Sequence, residues 1–361
     1  MTRRERLLTA MRRGTPDRIP FTYDATAECS ERLRVHLGLS SAEEIPAHFG
    51  CDQFGSLATL VGRSPIAWNQ PDRRADGTRL TLWGTPLKKV EYPGGFYWEY
   101  DTPPLAAAET VADVERHAWP DPSRVEFAPL PPPGAWKPRQ AETVFGDSSF
   151  IGPFGIAWQV RGMESIMLDM IENPALVESI VAHIEAFTLP LLKRFLETYK
   201  GAIDFVCCGD DFGTQLGLMI GREPFRRFFA PSLKRHFELA RAHGVIAYQH
   251  CCGAIYDIIP DLIDCGVQVL NPIQTRAAGM DPARLKREFG GALAFHGGID
   301  VQKTLPGGTP EEVRREVRER VAQLGPNGYV LCSSHAMQAD IPPGNIVAMY
   351  DEIGKRGLTH G

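Results

Sequence analysis

The sequence predicts an α/β fold: one (β/α)8 barrel of the TIM type over residues 1–361, with an N-terminal helical cap and a small β-meander inserted at about 76–100. Three observations carry this. From about residue 143, short apolar strands alternate with helices, the pattern of a parallel sheet. Polar residues gather at the C-terminal ends of several different strands, as a barrel builds a site. No Gly-x-Gly-x-x-Gly or Walker-type loop follows the early strands, which argues against an open nucleotide-binding sheet.

Residues 3–13 read as an amphipathic helix that Gly14-Thr-Pro-Asp-Arg-Ile-Pro breaks. The turn signals Asp76-Gly77 and Pro93-Gly94-Gly95 flank Leu80-Thr-Leu-Trp, Leu87-Lys-Lys-Val-Glu-Tyr and Phe96-Tyr-Trp-Glu-Tyr, the antiparallel meander. A Pro-rich connector from Trp119 to Pro138 is expected to be a long surface loop. Strands are expected at Ala202–Cys208, Val245–Gln249, Val267–Asn271, Leu293–His296 and Tyr329–Cys332. Between them, helices run from about Glu223 to Gly244 and from Ala254 to Asp264. Asn173-Pro174 supplies an N-cap and first-turn proline, and Thr309-Pro310-Glu311-Glu312 a capping box. The stripe Val313, Val317, Val321 and Leu324 is a core face.

With 43% hydrophobic and 23% charged residues, the chain has the balance of a large buried core. A net charge of −5 gives no basis for nucleic-acid or anionic-membrane binding. No signal-like start and no run near ~18 apolar residues is present, so a cytoplasmic protein is expected. In that reducing setting the eight cysteines are buried thiols, metal ligands or catalytic groups, not disulfides.

The sharpest cluster is His250-Cys251-Cys252-Gly253, directly after a strand. Alternation puts His250 and Cys252 on one face and Cys251 on the other. Cys332 ends another strand, and across a barrel mouth the three can meet. A His-Cys-Cys set leaves one zinc position open, the arrangement of catalytic zinc. Spacing alone leaves packing residues as the alternative, because a split His-x-Cys…Cys is less specific than paired Cys-x-x-Cys motifs. Asp210 and Asp211 are candidates for orienting His250 or relaying protons, or else a pair that caps backbone N–H groups. His296 and His335 fall at strand ends, His296 as a catalytic candidate and His335 as a substrate contact. Asn271, Gln274 and Gln215 suit amide contacts to a polar substrate, and Tyr23, Phe154 and Trp158 are candidate pocket aromatics. Glu164 is a candidate occupant of the open metal position; Cys207, Cys208 and Cys265 are expected to be core thiols.

Six segments together resemble the uroporphyrinogen decarboxylase superfamily: Arg3-Glu-Arg-Leu-Leu-Thr-Ala-Met-Arg-Arg-Gly-Thr-Pro-Asp-Arg-Ile-Pro, Gly209-Asp-Asp-Phe-Gly-Thr-Gln, His250-Cys-Cys-Gly, Leu270-Asn-Pro-Ile-Gln, His296-Gly-Gly-Ile-Asp and Ile341-Pro-Pro-Gly-Asn-Ile. They come in the family's order over nearly the whole chain. The resemblance implies a distorted TIM barrel. Decarboxylases of the family carry an arginine-rich N-terminal segment that holds a porphyrinogen's carboxylates. The matching stretch here, Ile19 to Glu31, contains no arginine and three acidic residues. The methyltransferase branch, which serves coenzyme M and methoxylated compounds, is similar in using His-x-Cys and a distant Cys for zinc. At those motif positions stand His250, Cys252 and Cys332.

The resemblance therefore implies a zinc-dependent methyltransferase that moves methyl between a corrinoid protein and a small methylated compound or thiol. Zinc would deprotonate and aim a substrate thiol. No Asp-x-His-x-x-Gly corrinoid motif occurs, so the cobalamin is expected on a separate partner protein. A metal-free decarboxylase or lyase is the alternative reading, and a homodimer stays open.

Overall fold

The computed structural model describes residues 1–61, 72–73, 78–92 and 95–356. Eleven strands form two sheets among them. β1 is Phe54–Ser56, β2 Asp72–Arg73, β3 Arg79–Leu80, β4 Pro86–Tyr92, β5 Gly95–Tyr100 and β6 Val144–Ile151. β7 is Phe205–Gly209, β8 Ile246–His250, β9 Val269–Ile273, β10 Ala294–Ile299 and β11 Tyr329–Ser333. The large sheet runs β1-β6-β7-β8-β9-β10-β11, parallel throughout.

An eighth segment closes the curled sheet. Thr22 N donates to Leu331 O (3.0 Å) and Leu331 N to Pro20 O (2.9 Å), so residues 20–22 pair in parallel with β11. On the other side, Asp52 N donates to Phe21 O (2.8 Å), just before β1. Proline at position 20 has no N–H for a ladder, which keeps this stave to one bridge.

The N-terminal helix spans Arg3–Met11, shorter than the expected 3–13, because Arg13 and Gly14 turn away from it. Its Leu7, Ala10 and Met11 join Val144, Ile246, Val269, Ala294 and Val330 in an apolar plug. Buried Arg6 pins it through Asp52 (2.6 Å), and Arg4 pairs with Asp204.

The meander is present as β2–β5, antiparallel in chain order. The expected turns Asp76-Gly77 and Pro93-Gly94 lie outside the described residues. Trp83, beside it, packs edge-on against Phe187 of the helix Pro174–Thr198 at 5.3 Å. That helix is long and apolar enough to cross a membrane, but Leu176, Ile180, Ile184, Phe187, Leu191 and Phe195 are buried in the core.

Two local expectations are corrected. Asn173 does not cap this helix with its side chain; Nδ2 donates to Glu109 O instead (3.0 Å). The Pro-rich connector is not all loop, since Pro133 opens a helix over Pro133–Glu142 with proline where its missing N–H costs nothing. The box at Thr309–Glu312 forms as expected.

Candidate metal and substrate site

In the parallel strands every second side chain points into the barrel. Up β8 these are Ile246, Tyr248 and His250; up β9, Val269 and Asn271. Up β10 they are Ala294 and His296, and up β11 Val330 and Cys332. Each series starts apolar and ends in a donor atom. The ends line a cavity of about 310 Å³ that also receives Tyr23, Asp24, Phe54, Phe205 and His335.

One donor of Cys252 and one from each of His250 and His335 lie within 4.8 Å of one another, the one such group of three among the described residues. His250 Nε2 is 3.5 Å from Cys252 Sγ. Tetrahedral zinc with Zn–N near ~2.0 Å and Zn–S near ~2.3 Å requires about that separation. His250 Nδ1 meets Asn271 Oδ1 at 2.8 Å. Asn271 Nδ2 faces the His296 carbonyl at 3.4 Å, which orients the amide so that Oδ1 accepts from Nδ1–H. Nε2 is left with a lone pair aimed at Cys252, the tautomer a metal ligand needs.

The turn that presents Cys252 is held from three sides. Cys252 N donates to Asp211 Oδ1 (2.7 Å), Gly253 N to Gln274 Oε1 (2.9 Å) and Ala254 N to Thr214 O (2.7 Å). Gly253 has φ +86°, and a Cβ there would stand 2.6 Å from Gly213 C and Thr214 O. Only glycine permits this close approach. Cys251 points the other way, fully buried, its Sγ accepting from Phe212 N (3.3 Å). Burial, with Asp211 nearby, pushes the Cys252 thiol up to about 12. Without a cation it stays a thiol.

Cys332 lines the same cavity but is not in the close group; His335 takes its place there. Its Sγ faces Ser333 Oγ (3.7 Å), and burial raises its pKa to about 11 while Thr22 opposes the shift. A histidine two residues past the end of the strand reaches the donors because the chain turns back over the mouth after Ser333. Sequence spacing carries no signal for that.

His296 is fully occupied. Its Nε2 contacts Thr22 Oγ1 (2.9 Å) and its Nδ1 the Tyr248 hydroxyl (2.5 Å). Burial pushes its pKa down to about 3, so the ring is neutral and orders two pocket hydroxyls. Asp210 is buried at the start of the helix Pro153–Arg161, accepting from Phe154 N (3.0 Å) and Gly155 N (2.6 Å). Burial raises it to about 8 against those two bonds. Both aspartates thus bond backbone N–H groups: Asp210 anchors a helix, and Asp211 anchors the Cys252 turn.

Tyr23 lines the cavity with its hydroxyl on Ser30 Oγ (3.0 Å), and burial pushes it up to about 12. Phe154 does not line it; it is fully buried, stacked on Phe212 at 5.4 Å. Trp158 packs on Tyr100, Glu164 is exposed on its helix, and Gln215 is exposed in the turn after Thr214. None of these three touches the cavity. Gln274 spends its oxygen on Gly253. Cys207 is a buried core thiol as expected, and as the inward residue after Phe205 it also reaches the cavity wall. Thr22, Asp24 and Tyr248 are further wall residues; Ile246-x-Tyr248-x-His250 alternation is the signal that finds Tyr248. Burial raises the Asp24 carboxyl, opposed by His335 and His250. A larger open groove of about 1070 Å³ beside the helix Pro310–Leu324 carries mixed charges and none of the donors.

Residues 145–356 match the family model described as uroporphyrinogen decarboxylase (URO-D). The chain belongs to the URO-D family. The match includes β7–β11 and all three close donors, while Tyr23 and Asp24 lie before it. Among solved structures, a methyltransferase from Methanosarcina mazei shares the fold at TM-score 0.62 and 15% identity, covering 98% of this chain and 99% of that one. A B12-independent methionine synthase from Shewanella sp. W3-18-1, in complex with selenomethionine, aligns at TM-score 0.47 and 11% identity over 95% of this chain and 100% of that one. No curated protein matches significantly.

Proposed function

We infer that this URO-D barrel is a zinc-dependent methyltransferase, with residues 1–361 acting as one barrel domain that carries the meander. The observation that supports it most is the donor group at the mouth, with His250 already in the ligand tautomer. One imidazole-rich, thiol-containing set of three donors suits zinc and leaves a position for substrate. His250 and Cys252 would hold the ion with His335 as third donor; Cys332, the family-implied ligand, lies on the same cavity wall. Bound zinc would keep a substrate thiol ionised near neutral pH. The chain's own part is to fix the donors: Asn271 orients His250, while Asp211 and Gln274 fix the turn at Cys252. Neutral His296 keeps the Thr22 and Tyr248 hydroxyls aligned on the wall. A corrinoid on a separate protein would exchange the methyl group at the open mouth.

The metal-free decarboxylase reading fits the cavity less well. Its wall has no arginine or lysine among the described residues, and ~310 Å³ is small for a porphyrinogen with eight carboxylates. The deciding experiment measures zinc per chain and methyl transfer with a supplied methyl-corrinoid protein. About one zinc and transfer that Cys252→Ala abolishes are expected. A zinc-free protein that releases carbon dioxide from a porphyrinogen would reverse the assignment. In the same assay, His335→Ala should lower zinc content more than Cys332→Ala; the opposite order would restore Cys332 as third ligand.

A further inference from the structure

The cavity wall is lopsided in charge. Apart from the histidines and thiols, Asp24 is the one ionisable carboxylate among the described lining residues, and no arginine or lysine joins it. The Asp24 residue is exposed to the cavity, and its carboxylate makes no hydrogen bond or ion pair among the described residues. Beside it stands an aromatic wall. Phe54 and Phe205 meet at 5.2 Å between ring centroids, Phe205 and Tyr248 at 5.3 Å. Tyr23 adds a fourth ring. A carboxylate with aromatic faces attracts a compact cation and repels an anion.

We propose that the substrate is a small thiol, or its methyl thioether, that carries an ammonium group held by Asp24 and the aromatic wall. This rests on the methyltransferase reading. A divalent zinc ion, one Cys252 thiolate and one substrate thiolate sum to zero charge. Asp24 then remains uncompensated. A pendant ammonium cancels it, whereas a sulfonate or carboxylate doubles it in a half-enclosed cavity. The ~310 Å³ volume admits roughly ten non-hydrogen atoms at about 30 Å³ each.

Three thiols on the same two-carbon chain vary the charge of the end group: 2-aminoethanethiol, 2-mercaptoethanol and the bulkier 2-mercaptoethanesulfonate, with Asp24→Asn as the control that leaves size unchanged. Their binding to the zinc-loaded full chain is measured by calorimetry, for the native protein and for Asp24→Asn. The ammonium thiol should bind about tenfold tighter than the neutral one, and the sulfonate weakest. Asp24→Asn should remove most of that spread with zinc content unchanged. The proposal is overturned if the sulfonate binds as well as the ammonium, if no thiol binds, or if the ranking survives Asp24→Asn. It is equally overturned if Asp24→Asn loses zinc, because the carboxylate would then be a ligand. A cobalt(II)-substituted sample keeps the two claims apart. Ammonium preference without a sulfur-to-cobalt absorption band would break the methyltransferase reading and leave the charge preference standing. The band with all three thiols at equal affinity would do the reverse.

Discussion

The two ends of the barrel interior are built from the same strands and behave differently. At the N-terminal end, Ile246, Val269, Ala294 and Val330 meet Leu7, Ala10 and Met11 of the plugging helix in one apolar cluster. Two residues further along these strands stand Tyr248, Asn271, His296 and Cys332, each with a donor or acceptor facing the cavity. The lower layer buries apolar surface and contributes stability. In the upper layer polar groups satisfy one another in fixed directions, which costs stability unless each finds its partner. Alternation by two thus separates core from chemistry within about 7 Å of strand.

Substitutions at the two levels should split cleanly. The largest effect is expected at the top. Cys252→Ala or His250→Ala should weaken metal affinity on the order of a thousandfold, about 4 kcal/mol, with little change in the unfolding midpoint. Competition with a zinc chelator measures it. At the bottom, Ile246→Ala should cost about 3 kcal/mol of stability through a cavity, measured by denaturant titration, while zinc affinity holds. If the two variants exchanged these phenotypes, the division between layers would fail.

A third test reads pH. The folded His296 stays neutral down to about 3, whereas the unfolded imidazole protonates below ~6.5. The unfolded state therefore binds the extra proton between those values, and stability falls as pH drops through that window and is flat above it. At pH 5 the loss from this group is about 2 kcal/mol. His296→Asn should flatten that part of the stability–pH curve of the metal-free protein; an unchanged slope would mean the ring is solvated. The smallest expected effect is at Asn271. Asn271→Leu should lower zinc affinity about tenfold by freeing the His250 tautomer, with Cys252 and His335 still in place.

Much of this plan was legible in the residues. The strand–helix alternation and the helix signals at Thr309–Glu312 reflect local preferences that act within a few residues, so the barrel and its elements were readable. His250 and Cys252 were readable for the same reason, since strand alternation sets their common face and excludes Cys251. Asp210 was ambiguous because its partners, Phe154 N and Gly155 N, are more than fifty residues away along the chain. Phe154 and Tyr23 look alike as aromatic candidates, yet one is stacked in the core and the other lines the cavity. Asn173 kept a capping identity but found Glu109 O, a partner from another segment.

By itself, then, the sequence determined the fold class, the strand faces and two of the three close donors, because those follow from periodicity and chirality of the local chain. Tertiary structure alone decided that His335 rather than Cys332 completes the close group, and that Asp24 and four aromatic rings share one wall. Both depend on where closed loops bring distant residues. Closure is set by the packing of the whole barrel, and no short-range spacing encodes it.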